Sequence, residues 1–288
     1  MEYTKQKNKI IIKNASHFNI KHILECGQVF RYENCGDYYE VISGMEIARV
    51  FSYDNEVVIE CSSEDYFEHY FDLKTDYASI KEELKQFEVL NKAIEYGYGI
   101  RILRQNELEM IISFIISANN NIKRIQGSIK KLSQKFGRKI ESPKFGTYFA
   151  FPTLDELNKI EEVDFVEAGT GYRASQLVKA VKQLNNIDLN IYSNMDTNTA
   201  INELIKLSGI GPKVADCVLL FGYYKMDVFP VDTWIEKIYN NYFSQNACIT
   251  NRLAIRKNLT NIFTKLSGYA QQYLFYYERE NTNPKKNK

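Results

Sequence analysis

The stretch that most constrains this chain is residues 204–234, LIKLSGIGPKVADCVLLFGYYKMDVFPVDTW. Gly209 and Gly211 flank Ile210 between two apolar periodic runs, which predicts helix, tight turn, helix: a helix-hairpin-helix. Pro212 suits the first position of the second helix, where its missing N–H is not needed. The free amides around Gly209, Ile210 and Gly211 then face outward as an anion site, and a DNA phosphate is the anion they fit. Lys213 falls in the first turn of that second helix. Asp232 follows nineteen residues later, in a Pro-Val-Asp turn that opens another helix. A nucleophile and a carboxylate thus stand beside a phosphate grip.

With 288 residues and 44% apolar content, the chain can bury a substantial core and has room for two or three subdomains. The longest uncharged apolar run, Met110 to Ala118, is too short to span a bilayer, and the polar start MEYTKQKNK has no signal-peptide apolar region. The expectation is therefore an intracellular protein, cytoplasmic and nucleoid-associated if bacterial, with no membrane partner. Cys26, Cys35, Cys61, Cys217 and Cys248 are scattered, odd in number and without CxxC spacing, which speaks against a disulfide framework and against a zinc site. No metal is expected. Net charge is only +1, so the whole-protein field does not announce nucleic acid. Lys123 to Lys139 does carry seven basic residues and no acid; alone it reads equally well as a phosphate-facing stripe or a solvated helix face, and its position next to the other DNA-type features tips it to the stripe.

An α+β fold is expected, an antiparallel sheet followed by helices. KIIIK, QVFRY, YYEVI, IARVF and EVVIEC, within residues 9–61, are short β-branched or aromatic runs separated by turn-like NCGD, SG and YDNE. Gly27, just before QVFRY, marks a bulge or a close backbone approach to a ligand. From Ser63 the period changes: SSEDYFEHYFDL reads as helix, and DYASIKEELKQFEVLNKAIEYG reads as one long helix with Gly97 at its end. Glu107 to Ser117 is apolar nearly all round and predicts a buried helix. It ends at Asn119-Asn120-Asn121, either caps and left-handed turns or a polar loop that enters DNA. Thr153 and Glu156 have capping-box spacing. EAGTGYRASQL places Tyr172 and Arg173 at a helix start, as a capped end or as a base-stacking and base-reading tip.

GIRILRQNELEMIISFIISANNNIKRI, FPTLDEL, GTGYRA, LSGIGPKVADC, PVD and GYAQQYLF, with GQVFRY near the start, occur in the order and spacing of the 8-oxoguanine DNA glycosylase family. The resemblance covers residues 9–280. It implies an N-terminal subdomain of sheet plus helices over residues 1–108 and a helical helix-hairpin-helix catalytic domain over residues 109–288. It implies a bifunctional DNA glycosylase/AP lyase of base excision repair, a monomer whose partner is double-stranded DNA containing oxidised guanine. Lys213 matches the nucleophile that attacks the sugar C1′ and forms a Schiff base, and Asp232 matches the catalytic carboxylate. Lys213 must be neutral when it attacks, and burial with the positive end of its own helix is expected to lower its pKa.

The resemblance also implies a base pocket. Cys217 lies four residues after Lys213 on one helix face, Phe275 matches the aromatic on the other side of the flipped base, and Gln271 matches the amide that reads its edge. Gly27 matches the residue whose carbonyl accepts the N7–H that 8-oxoguanine has and guanine lacks. Core packing is the plain alternative for Cys217 and Phe275. Asn119 matches the residue inserted into the vacated stack, Tyr172 the wedge, and Arg124 and Arg173 the pair that binds the orphaned cytosine, so a preference for 8-oxoguanine opposite cytosine is expected. No cofactor is implied, apart from a monovalent cation held by the hairpin carbonyls.

Trp234 departs from the pattern, since eukaryotic members carry His two residues after the catalytic Asp; an imidazole contact to phosphate is thereby in doubt. No Cys lies beyond Cys248, so the superfamily's iron–sulfur loop is missing. Two rivals stay open on the residues: a monofunctional alkylbase glycosylase, which uses Asp without Lys, and a non-catalytic helix-hairpin-helix DNA-binding module.

Overall fold

A computed structural model of the chain describes residues 1–244 and 248–281, so the last seven residues of the expected helical domain lie outside it. The fold is α+β. Strands β1 (Glu2–Gln6), β2 (Lys9–Lys13), β3 (Tyr32–Asn34), β4 (Tyr38–Ser43), β5 (Glu46–Ser52) and β6 (Glu56–Cys61) form one antiparallel sheet in the order β1-β2-β6-β5-β4-β3. A separate hairpin pairs β7 (Lys139–Ser142) with β8 (Gly146–Phe149). The helices of the first half are α1 (Ile20–Glu25), α2 (Glu64–Tyr70), α3 (Tyr77–Lys85), α4 (Glu88–Tyr96), α5 (Glu107–Ser117) and α6 (Ile122–Phe136). Those that follow are α7 (Leu154–Leu157), α8 (Glu162–Glu167), α9 (Ala174–Leu184), α10 (Ile191–Asn194), α11 (Thr197–Leu204), α12 (Pro212–Gly222), α13 (Thr233–Tyr242), α14 (Arg252–Phe263) and α15 (Ser267–Asn281).

The sheet forms because burial alternates along β2, β4 and β6. Ile10 opposes Ile59 and Ile12 opposes Val57, so one face of β2 and β6 is apolar throughout. That face, with Val41 and Val50, is dry and packs on Ile23 and Leu24 of α1 and Phe67 and Tyr70 of α2. Burying each such side chain is worth about 1.5–3 kcal/mol relative to leaving it in water.

Departures from the sequence pattern have local causes. The expected strand Gln28–Tyr32 starts only at Tyr32, because Gln28 is fully buried and its amide serves Ile23 O, Arg101 O and Leu103 N instead of a ladder. Strand β1 is polar because it is a largely exposed edge, so apolar alternation could not announce it. The long helix expected over residues 76–97 breaks at Phe87, which is extended (φ −99°, ψ 103°) so that its ring meets Phe263 at 4.7 Å. Helix α1 and the β7–β8 hairpin were not anticipated.

The helical half is built on α5 and α12, which pack on each other, while α15 packs on α4 and α13. Tyr77, Leu84, Leu90 and Ile94 of α3 and α4 belong to this helical core rather than to the sheet's. A buried ion pair joins the halves: Arg31 Nη1 lies 3.2 Å from Glu109 Oε2, which also accepts the Gly44 N–H at 3.1 Å. Among the described residues no helix is long and apolar enough to cross a membrane, and no group of three His, Cys, Asp or Glu could hold a metal ion.

Candidate active site

The predicted hairpin joins α11 to α12. Gly209 has φ +84°, and a Cβ there would lie 2.9 Å from Ile115 of α5, so only glycine fits both the turn and the close approach. Gln183 of α9 clips the turn from outside, donating to Lys206 O at 3.0 Å and accepting the Ser208 N–H at 2.8 Å. Ile210 is buried as an apolar plug, and Gly211 is the N-cap with Pro212 at the helix start. No side chain caps α12. Its first amides are therefore open to an external acceptor, but the Ile210 N–H expected among them is not, since it donates to Leu207 O at 3.1 Å.

Lys213 follows, half-buried, with its Nζ 5.5 Å from the Phe114 ring centroid. Burial pulls its pKa down, but its interaction with Cys217, including a hydrogen bond, and the negative charge of Asp232 outweigh it and carry the amine above its ordinary value. This corrects the expected lowering: without DNA, the neighbours hold an ammonium. Burial pushes the Cys217 thiol up to about 11 against the pull of Lys213, so the thiol stays protonated at neutral pH. Asp232 is the N-cap of α13, its Oδ1 accepting the Trp234 and Ile235 N–H groups at 3.0 Å each. Asp232 Oδ2 has no hydrogen bond among the described residues, so capping leaves one oxygen for chemistry. Trp234 is half-buried, with Lys237 Nζ 4.8 Å from its ring, and Glu236 pairs with Arg252 at 2.7 Å.

Asp216 was missed. It is fully buried on α12 and held by Arg256 of α14 through two bonds, at 2.6 and 2.9 Å. Burial raises its carboxyl to about 6, against the pull of Arg256. Its signal was present in the sequence: an acid in an apolar helix needs a buried partner.

Phe30, three residues past Gly27, meets Phe114 edge-on at 5.5 Å, and so links the Gly27 turn to the ring beneath Lys213. Gly27 itself has φ +91°, and a Cβ on it would lie 3.1 Å from Phe275 Cε1 and 2.9 Å from Arg279 Nη1. The structure thus brings Gly27 and Phe275 together. Gln271, 5% exposed, has a buried Oε1 with no partner among the described residues. An orphaned buried acceptor costs about 1–3 kcal/mol, which a bound ligand's N–H would relieve.

The remaining predicted residues gather at the end of α5. Asn119 is exposed and left-handed (φ +48°), and Asn121 caps α6 by accepting the Arg124 N–H at 3.0 Å. Tyr172 is 64% exposed, with its ring 4.4 Å from the Arg173 guanidinium carbon. Arg173 is 5% exposed and spends its donors on the Ala118, Asn119 and Thr170 carbonyls. It holds the Asn119 turn in place, whereas Arg124 projects from an exposed position on α6. In the basic run, Lys135 pairs with Asp164 at 2.7 Å and Glu167 at 2.9 Å, and Lys130 lies 3.6 Å from Glu33, so that part is a solvated, ion-paired face.

The N-terminal domain family of 8-oxoguanine DNA glycosylases matches residues 10–111, and the helix-hairpin-helix-GPD superfamily of base excision DNA repair proteins matches residues 112–263. The N-glycosylase/DNA lyase of Saccharomyces cerevisiae is 30% identical over 261 residues, covering 78% of this chain and 68% of the yeast protein. That of Arabidopsis thaliana is 33% identical over 191 residues, 62% of this chain, and the match spans about half of the plant protein, 52%. The Clostridium acetobutylicum 8-oxoguanine glycosylase/lyase, solved with double-stranded DNA containing cytosine opposite 8-oxoguanine, superposes with a TM-score of 0.92 at 39% identity, covering 98% of this chain and 99% of that one.

Proposed function

The chain belongs to the 8-oxoguanine DNA glycosylase family, within the helix-hairpin-helix-GPD superfamily, and from that membership we propose that it is a bifunctional DNA glycosylase/AP lyase that removes 8-oxoguanine from duplex DNA. The observation that carries the reading is Lys213, an amine set beside Cys217 and Asp232 at the mouth of an uncapped helix N-terminus. A phosphate on those amides brings the sugar of a flipped nucleotide to the amine. Flipping costs a few kcal/mol, offset by inserting Asn119 and Tyr172 into the stack and by contacts of the base with Gln271, Phe275 and Cys217. Lys213 Nζ then attacks C1′, the bond to the base breaks, a Schiff base forms and β-elimination cuts the strand.

The ammonium must first lose a proton. Asp232 is the group to take it, because its charge already acts on the amine and its Oδ2 is uncommitted. Once it has passed that proton on to the departing base, the carboxylate is charged again and stabilises the developing oxocarbenium. The Gly27 carbonyl accepts N7–H from 8-oxoguanine but would meet the N7 lone pair of guanine, so discrimination rests on one proton. Arg124 reads the orphaned cytosine, and Arg173 joins it only by giving up bonds to the Asn119 turn. A monovalent cation at the hairpin fits a donor set of backbone oxygens, since the Ser208, Gly209 and Ile210 carbonyls accept no hydrogen bond among the described residues. No step depends on it.

Matched duplexes with 8-oxoguanine opposite each of the four bases test the reading. Fastest single-turnover excision opposite cytosine is expected; equal rates opposite all four would sink the opposite-base assignment, and excision of alkylated but not oxidised purines would favour the alkylbase rival.

A further inference from the structure

Four successive carbonyls, from Glu25 to Gln28, form the turn that carries Gly27, and three of them are already taken. Arg279 Nη2 donates to Glu25 O, Gln272 Nε2 donates to Cys26 O at 2.7 Å, and Gln105 Nε2 donates to Gln28 O at 2.8 Å. The Gly27 carbonyl accepts no hydrogen bond among the described residues. The pattern is selective, because each neighbouring oxygen is turned away toward its own side-chain donor.

Two of those donors share one helix face. Gln272, Phe275 and Arg279 are spaced i, i+3 and i+7 on α15, so the helix presents a stripe that grips the turn above and below and touches it in the middle. The Arg279 guanidinium carbon lies 5.2 Å from the Phe275 ring centroid, and its Nε reaches Glu280 at 3.1 Å. Arg279 Nη1 is buried with no hydrogen-bond partner among the described residues, 2.9 Å from where a Gly27 Cβ would sit. The rest of the guanidinium is held by the Glu25 carbonyl of the turn, the Phe275 ring and Glu280.

We propose that Gln272 and Arg279 form a clamp that aims the Gly27 carbonyl at the flipped base, which makes Arg279 a positioning residue for discrimination between 8-oxoguanine and guanine. The inference rests on the functional reading above. A hydrogen bond weakens steeply as its angle closes below ~120°, so a turn free to rotate loses both the attraction to N7–H and the repulsion against a bare N7. The clamp fixes that angle.

The test separates base reading from sugar chemistry. In a Lys213→Gln background, which keeps DNA uncut, dissociation constants are measured for duplexes with 8-oxoguanine or guanine opposite cytosine. Arg279→Met or Gln272→Met should shrink the ratio of the two constants by about tenfold, the worth of one hydrogen bond, with Arg279→Lys intermediate. With Lys213 intact, borohydride trapping on a preformed abasic duplex should be unchanged in the same variants, because no base is read there. An unchanged ratio in Arg279→Met and Gln272→Met, with abasic trapping intact, overturns the clamp alone. Should Arg279→Met fail to fold, an unchanged ratio in Gln272→Met is enough. A parent protein with no preference for 8-oxoguanine overturns the functional reading and the clamp with it.

Discussion

Asp232 holds two jobs on one carboxylate. Its Oδ1 caps α13, and its charge helps keep Lys213 protonated until DNA arrives. Asparagine caps helices about as well as aspartate, so Asp232→Asn separates the two. Thermal melting should shift little, while single-turnover excision should fall by about 10²–10⁴, the usual worth of a positioned acid or base. A variant that melts normally and still excises at the parent rate would leave Asp232 with a structural role only. The same residue shows the limits of sequence reading. Lys213 and Asp232 were legible as a pair nineteen residues apart, but the direction of the lysine's pKa was not, because it depends on charges that only folding brings near it.

At the scale of elements, the hairpin works because Gly209 lets α12 come down onto α5. Gly209→Ala must place a Cβ in a left-handed conformation 2.9 Å from Ile115. The backbone strain alone is about 1–2 kcal/mol, so the melting temperature should drop and affinity even for undamaged duplex should fall with it. Full affinity in a folded Gly209→Ala protein would place the phosphate grip elsewhere. Most of these elements could be read directly: β-branched and aromatic runs bounded by turn residues gave β2, β4, β5 and β6, and the Asn119–Asn121 run serves as both the left-handed turn and the cap of α6. What escaped was held by single polar side chains acting across the fold. Gln28 pulls QVF out of the sheet, Gln183 braces the hairpin and Arg173 is drawn under the Asn119 turn instead of standing free at its helix start. Propensity and periodicity carry no signal for such long-range bonds.

Across the whole molecule, the sheet half and the helical half meet along polar contacts as well as apolar ones, and one partly buried contact of α1 responds to pH. His22 of α1 packs edge-on to Tyr98 at 4.9 Å, and its Nδ1 accepts the Gly99 N–H at 3.4 Å. Burial, helped by the positive charge of Lys21, lowers its pKa from 6.5 to about 4. The unfolded chain thus takes up this proton at a higher pH than the folded one. The stability it contributes is complete above pH 6.5 and is lost as pH falls toward 4. Urea melts should show the parent losing stability between pH 6.5 and 4.5 more steeply than His22→Gln; parallel curves would contradict this. The lyase mechanism depends on a covalent bond between Lys213 and DNA. Borohydride added to protein with a duplex containing 8-oxoguanine opposite cytosine should trap a covalent complex in the parent and none in Lys213→Gln. Excision with no trapped species, or trapping that survives Lys213→Gln, would contradict it.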